Sequence, residues 1–288
     1  MKCPDFAYVR PDSLDDAVAI LASYGGGALP LAGGQSLLAA LNLRLSKPEV
    51  LVDIGGLPEL RGLSTDGQVV RIGALQRHAE ILESALIAAK TPLIAEAVRH
   101  VGHVAIRNRG TFGGSLAFAD PAAELPACCV ALGASITVVG RGGRRTVPAA
   151  TFFKGLFETD LQPGELIVEV VVPVQPAGRL WGFGELSRRH GDFAMVGVVA
   201  IAAVSHDVID DPRVVYLGCA DHAKRAARVE AALSGRRLPL EDGDWLYRAL
   251  STDLAPTDSP GCKGATKLHL AAVLSRRVFS ALREGPRA

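Results

Sequence analysis

The sequence predicts an α+β protein of two or three lobes, and three observations carry that reading. With 288 residues, 49% of them hydrophobic, the chain is long enough to bury more than one core. Up to about residue 134 helical periodicity interleaves with short apolar runs; past that point strand patterns dominate. Beyond a break at residues 175–178, marked by Pro176 and Gly178, strands come first and helices last, the order of a second α+β lobe.

The elements follow in order. Ser13 with Asp16 three residues on marks an N-cap, and Leu14, Ala17, Val18 and Leu21 share one face of a helix that Gly25-Gly26-Gly27 ends. Residues 29–32 read as a buried strand end, Ser36 as the cap of a helix over 37–45, and 50–54 and 68–73 as strands. Thr91-Pro92 opens a helix carrying Leu93, Ala97, Val98 and Val101 along one side. Residues 102–110 are too broken by glycine and charge for a core strand, and Asp120-Pro121 repeats the cap-plus-proline signal ahead of Leu125, Cys128, Cys129 and Leu132. Strands are predicted at 135–139, 166–172 and 195–204; Asp210-Asp211-Pro212 reads as the turn of a hairpin or meander completed by 213–217. Helices are predicted at 226–233, 245–250 and 265–282, and no fixed-period repeat is present.

Bulk chemistry excludes several functions. Thirty-one Lys plus Arg against 30 Asp plus Glu give a formal charge of +1, so no global field favours nucleic acid or an acidic membrane face. The longest apolar run, 196–204, is far short of the ~20 residues a membrane span requires, and Asp5 and Arg10 stand where a signal peptide needs an apolar core. The expectation is a soluble cytoplasmic protein without membrane insertion. Five cysteines include an adjacent pair and no CxxC knuckle, which points to buried thiols rather than a metal or cluster site in this chain. The seven histidines are dispersed, and no nucleophile–base pair assembles from sequence neighbours, so no catalytic residue is assigned and a cofactor is expected to supply the chemistry.

Two glycine doublets point to that cofactor. Ala32-Gly33-Gly34-Gln35-Ser36 and Thr111-Phe112-Gly113-Gly114-Ser115 each join an apolar stretch to a predicted helix, where free backbone amides and missing Cβ atoms suit an anion. Two such loops can clasp one diphosphate from both sides, which points to a dinucleotide, FAD. Neither loop contains Lys or Arg, so amides and the hydroxyls of Ser36, Thr111 and Ser115 would hold the charge, each charge-assisted bond contributing roughly 1.5–3 kcal/mol. Leu31, Leu37, Leu38 and Ile106 fit either a cover for the flat ring or ordinary core. Arg107 and Arg109 fit a phosphate contact, a partner contact or structural pairing, and Asp192 fits a loop-ordering or a turn role. No histidine or cysteine lies in either loop, so the flavin is expected to be non-covalent.

Four ordered blocks extend the pattern: residues 32–38 with Leu43-Arg44-Leu45, residues 106–117, residues 119–127, and Ser187-Arg188-Arg189-His190-Gly191-Asp192-Phe193-Ala194. Together they resemble the FAD-binding medium subunit of molybdenum hydroxylases, the xanthine dehydrogenase and aerobic carbon monoxide dehydrogenase family, across nearly the whole chain. The resemblance implies an FAD-binding domain of the vanillyl-alcohol oxidase/MurB-like type over residues 1–175, in subdomains of about 1–56 and 57–175, followed by a smaller α+β C-terminal domain over 176–288. It implies cofactor contacts from Pro30, Leu31, Ala32, Gly33, Gly34, Gln35, Ser36 and Leu37, and from Gly110, Thr111, Phe112, Gly113, Gly114 and Ser115. Glu124 stands near the adenosine ribose by the same resemblance, and Ile167 packs near the adenine or ring system. Gly184 supplies no basic flavin partner, and Phe118 replaces the histidine of many relatives. The implied function is electron transfer from [2Fe–2S] clusters of a small subunit, fed by a molybdenum cofactor in a large subunit, through FAD to an external acceptor, within a dimer of heterotrimers. The alternatives are a self-sufficient MurB- or vanillyl-alcohol-oxidase-like flavin oxidoreductase and a non-catalytic nucleotide-binding module.

Overall fold

The computed structural model describes residues 2–176, 178–240, 243–259 and 261–284; Ala177, within the break read from the sequence, lies outside them. The chain opens with β1 (Ala7–Val9), α1 (Leu14–Tyr24), β2 (Ala28–Leu31), α2 (Leu37–Asn42) and β3 (Val50–Asp53). These strands form a parallel sheet in the order β1-β3-β2, and Leu14, Ala17, Val18 and Leu21 of α1 pack on it in one apolar cluster.

A long middle segment follows: β4 (Leu63–Thr65), β5 (Val69–Gly73), α3 (His78–Glu83), α4 (Ala85–Lys90), α5 (Pro92–His100), α6 (Val104–Arg107), α7 (Phe112–Phe118) and α8 (Glu124–Leu132). It continues through β6 (Ser135–Gly140), β7 (Gly143–Pro148), α9 (Ala149–Phe152), β8 (Phe153–Gly155), β9 (Glu158–Thr159) and β10 (Leu166–Pro173). The antiparallel sheet β4-β5-β10-β6-β7 backs the helices. Every residue of α8 is buried, as expected of a helix apolar on all sides.

The last segment comprises β11 (Arg179–Leu186), β12 (Val196–Ser205), β13 (Val208–Leu217), β14 (Lys224–Arg225), α10 (Ala227–Leu233), α11 (Trp245–Asp253) and α12 (Gly264–Glu284). Its sheet runs β11-β12-β13-β14, antiparallel. Val198 and Ala200 of β12 join the cluster made with α10, α11 and α12, while Val199 and Ile201 join the core that includes α8. Burial on both faces explains why this strand is the longest apolar run of the sequence.

Several local expectations need correction. Ser36 makes no side-chain cap bond, and α2 stops at Asn42 because Arg44 adopts φ 59° and its amide turns back to Leu41 O. Asp120-Pro121 does not open a helix: Asp120 accepts the Ala122 amide at 2.8 Å in a turn that follows left-handed Ala119, and α8 begins at Glu124. Residues 102–110 hold the short helix α6. The chain reverses at His206-Asp207, both at positive φ, whereas Asp210-Asp211-Pro212 lies inside β13 at a register shift. Strand β11 is hidden in the sequence by Gly182 and Gly184, whose missing Cβ atoms admit α12: a Cβ there would lie 2.8 and 2.9 Å from Val278 methyls. Gly184 therefore faces a helix, which accounts for the lack of a basic side chain at that position.

Candidate cofactor site

A cavity of about 640 Å³ opens between the parallel sheet, the middle helices and the 191–193 segment, within the ~300–1,000 Å³ range of ligand pockets. Both glycine loops line it, with no lysine or arginine among its described residues. The loops touch: a Cβ on Gly33 would stand 2.1 Å from Arg109 O and 3.0 Å from Gly110 Cα. Only glycine permits this approach, and Gly34 at φ +72° occupies the left-handed region that glycine tolerates.

The two loops differ in their amides. The amides of Gly33, Gly34, Gln35, Ser36 and Leu37 have no acceptor among the described residues; the Gln35 side chain folds back onto Gly33 O at 3.1 Å. In the second loop the Phe112 amide donates to Gln76 O, Gly113 to Ala74 O, Gly114 to Thr111 Oγ1 and Ser115 to Thr111 O. The expectation of free amides is therefore corrected for the second loop, whose glycines allow close packing instead: a Cβ on Gly113 would lie 2.6 Å from Ala74 Cβ.

Of the residues the sequence singles out, Pro30, Ala32, Gly33, Gly34, Gln35, Ser36, Leu37, Gly110, Thr111, Gly113, Gly114, Ser115, Glu124 and Ile167 line the cavity, as do Ile106, Phe118 and Asp192. Two do not. Phe112 points from the first turn of α7 into the core and is fully buried there, and Leu31 packs beneath Gly34. Arg107 is committed to the Val101 and Gly102 carbonyls at 3.0 and 2.9 Å.

Other wall residues are not legible in the sequence. Residues 161–166 contribute a loop in which Gly164, at φ +85°, seats against Ala22 of α1; locally, Pro163-Gly164 signals only a turn. His78 also lines the wall; its ring packs so closely on Gly110 that a Cβ there would lie 2.7 Å from Cδ2. Burial, then the Arg107 charge, hold its pKa down at about 4, so the ring is neutral, and its buried Nδ1 has no hydrogen-bond partner among the described residues. Burial is also the main cause that raises Glu124 to about 8, with the nearby Glu185 carboxylate adding to it, and burial raises Asp120 as well.

An unpartnered run of amides and an orphaned neutral imidazole on the walls of one cavity suit a ligand with an anionic centre and a flat polar ring, so the wall fits FAD. Among the described residues no group of His, Cys, Asp and Glu could hold a metal ion, and no helix is long and apolar enough to cross a membrane. Burial raises the thiol pKa values of Cys128, Cys129 and Cys219, in keeping with structural cysteines.

Comparison with known proteins agrees with this chemistry. Residues 4–175 match the family described as the FAD binding domain in molybdopterin dehydrogenase, and residues 181–282 the CO dehydrogenase flavoprotein C-terminal domain. The chain is 42% identical over 243 residues to the 6-hydroxypseudooxynicotine dehydrogenase complex subunit alpha of Paenarthrobacter nicotinovorans, covering 84% of this chain and 82% of that one. It is 37% identical to the carbon monoxide dehydrogenase medium chain of Hydrogenophaga pseudoflava, over 83% of each. A solved structure of carbon monoxide dehydrogenase from Hydrogenophaga pseudoflava, lacking the Mo-pyranopterin moiety of its molybdenum cofactor, superposes with a TM-score of 0.94 at 36% identity, covering 99% of both chains. The chain thus belongs to the FAD-binding medium subunits of the molybdenum hydroxylase family, as the flavoprotein of an oxidoreductase.

Proposed function

We propose that this subunit holds FAD non-covalently in the cavity between its glycine loops and relays electrons from [2Fe–2S] clusters of a small partner subunit to an external acceptor. In this reading a large partner subunit carries the molybdenum cofactor and chooses the substrate, and the assembly is a cytoplasmic dimer of heterotrimers. The observation that carries it is the run of five acceptor-free amides from Gly33 to Leu37 on the cavity wall. With no basic side chain lining the cavity, those amides are the groups able to contact a diphosphate directly.

Bound there, FAD would supply reversible electron acceptance, and the protein's part is to bind, orient and exclude water. The second loop and Thr111 press the first loop into shape. Ile106 and Ile167 offer apolar cover, and neutral His78 offers Nδ1 as a hydrogen-bonding group to the ligand. Glu124, protonated below about pH 8, presents a hydroxyl rather than a charge to the cavity.

The test is the visible spectrum of the purified full-length chain. Bands near ~370 and ~450 nm that leave with the filtrate after denaturation are expected. A colourless chain that takes up no added FAD overturns the reading. Co-purification with iron- and molybdenum-bearing subunits separates the relay from a self-sufficient flavin enzyme.

A further inference from the structure

Behind the first glycine loop lies a second cleft, of about 310 Å³, and the two share a wall: Ala32, Gly33 and Thr111 line both it and the cofactor cavity. Four arginines from four segments surround it, Arg10 after β1, Arg61 before β4, Arg77 before α3 and Arg109 between α6 and α7. All four are exposed. None forms an ion pair among the described residues, and Arg61 donates only to Gly55 O at 3.1 Å. The cleft's one carboxylate, Asp53, is engaged by the Tyr8 hydroxyl and by the Gly55 amide at 2.9 Å. With a formal charge of +1 over the whole chain, this concentration of positive charge is local.

Grouped like charges without ion-pair partners repel one another, whereas guanidinium forks pair bidentately with carboxylates and set the register of an approaching acidic surface. Their exposure favours a protein partner over a small ion: a free anion among solvated arginines is screened by salt, whereas a docked surface excludes the water between the charges. Only the thickness of one loop separates this cleft from the cofactor cavity, so a partner docked there stands close to the cofactor. We propose that the arginine cleft docks a carboxylate-rich patch of the iron–sulfur partner subunit against the back of the loop that walls the flavin. This rests on the electron-relay reading above.

The test uses the complex isolated from its own host through a tag on this chain, with iron per flavin and flavin per chain as separate readouts. Reversing two arginines, Arg10→Glu with Arg77→Glu, is expected to lower iron per flavin at least tenfold at physiological salt while flavin per chain stays within twofold; Arg10→Lys with Arg77→Lys retains part of the iron. Raising salt to about 1 M, where the screening length falls to about 3 Å, should strip iron from the unaltered complex. Full iron retention by the reversed pair overturns docking and leaves the relay standing; flavin without iron in the unaltered complex overturns both. Should the reversed pair lose flavin, the neutral pair Arg10→Gln with Arg77→Gln decides, and iron at the unaltered level overturns docking. Titration with inorganic phosphate adds the other arm: saturable binding below about 1 mM that the reversal abolishes, with iron retained, marks a small-anion site and overturns the proposal.

Discussion

The two glycine loops carry nearly the same signature, and they face the same cavity in opposite states. Gly33 to Leu37 leave five amides without acceptors, whereas Phe112 to Ser115 have theirs engaged by Gln76 O, Ala74 O and Thr111. In the proposed reading one loop receives an anion and the other holds the first in position. A Gly-Gly-Ser run therefore signals close backbone approach, and what approaches, ligand or chain, is decided elsewhere. Here the decision comes from residues 74–76, which follow β5 and supply the carbonyls that close the second loop's amides.

The sharpest way to break this distinction is to place a methyl group in each loop. Gly33→Ala drives a Cβ to 2.1 Å from Arg109 O, so the loops must part where the open amides sit. We expect FAD binding to weaken by roughly 100-fold, about 3 kcal/mol, by flavin fluorescence titration. Gly113→Ala pushes into Ala74 instead and should cost about 1–3 kcal/mol of stability through overpacking, read as a fall in thermal midpoint. Flavin affinity of the folded fraction should change less than in Gly33→Ala. Equal losses of affinity in both variants would show that the second loop also binds the anion directly.

A smaller effect separates two residues whose hydroxyls the sequence assigns alike to the anion. Thr111 Oγ1 accepts the Gly114 amide at 3.2 Å, while Ser36 makes no cap bond. Thr111→Val should therefore cost about 1 kcal/mol of unfolding free energy, Thr111→Ser should restore most of it, and Ser36→Ala should stay within about 0.5 kcal/mol, by denaturant titration. A destabilisation by Ser36→Ala as large as that of Thr111→Val would erase the contrast.

How much of this is readable follows from range. Helix α1, the strands 166–173 and 196–205 and both loops are set by local periodicity and punctuation, and the sequence shows them. What it conceals depends on distant partners. Strand β11 reads as broken until Val278 of α12 is seen filling the space at Gly182 and Gly184. His78 reads as one of seven scattered histidines until Gly110 is seen against its ring. The hairpin turn falls elsewhere than the sequence suggests because Asp-Asp-Pro is a stronger local turn signal than His206-Asp207, and pairing with β12 overrides it. Arg10, Arg61, Arg77 and Arg109 are scattered between positions 10 and 109 and share no motif, so their convergence on one cleft is a property of the fold alone.

The smallest predicted effect concerns the acidic flank of the second loop and is a matter of pH. Glu124 is held at about 8 because burial disfavours its charged form, while in the unfolded chain it titrates near its ordinary 4.5. A raised folded pKa contributes stability that is complete below about pH 4.5 and drains away as pH rises through about 8, since the unfolded state releases its proton first. The thermal midpoint of the unaltered chain should therefore decline between pH 5 and pH 8 relative to Glu124→Gln, and the two curves should run parallel above about pH 9. The same protonation keeps negative charge off the wall that would face a diphosphate, so FAD affinity should fall above about pH 8 in the unaltered chain and stay level in Glu124→Gln. The first loop contributes no titratable side chain to the cavity, so an affinity that fell as steeply above about pH 8 in Glu124→Gln as in the unaltered chain would overturn this role for Glu124.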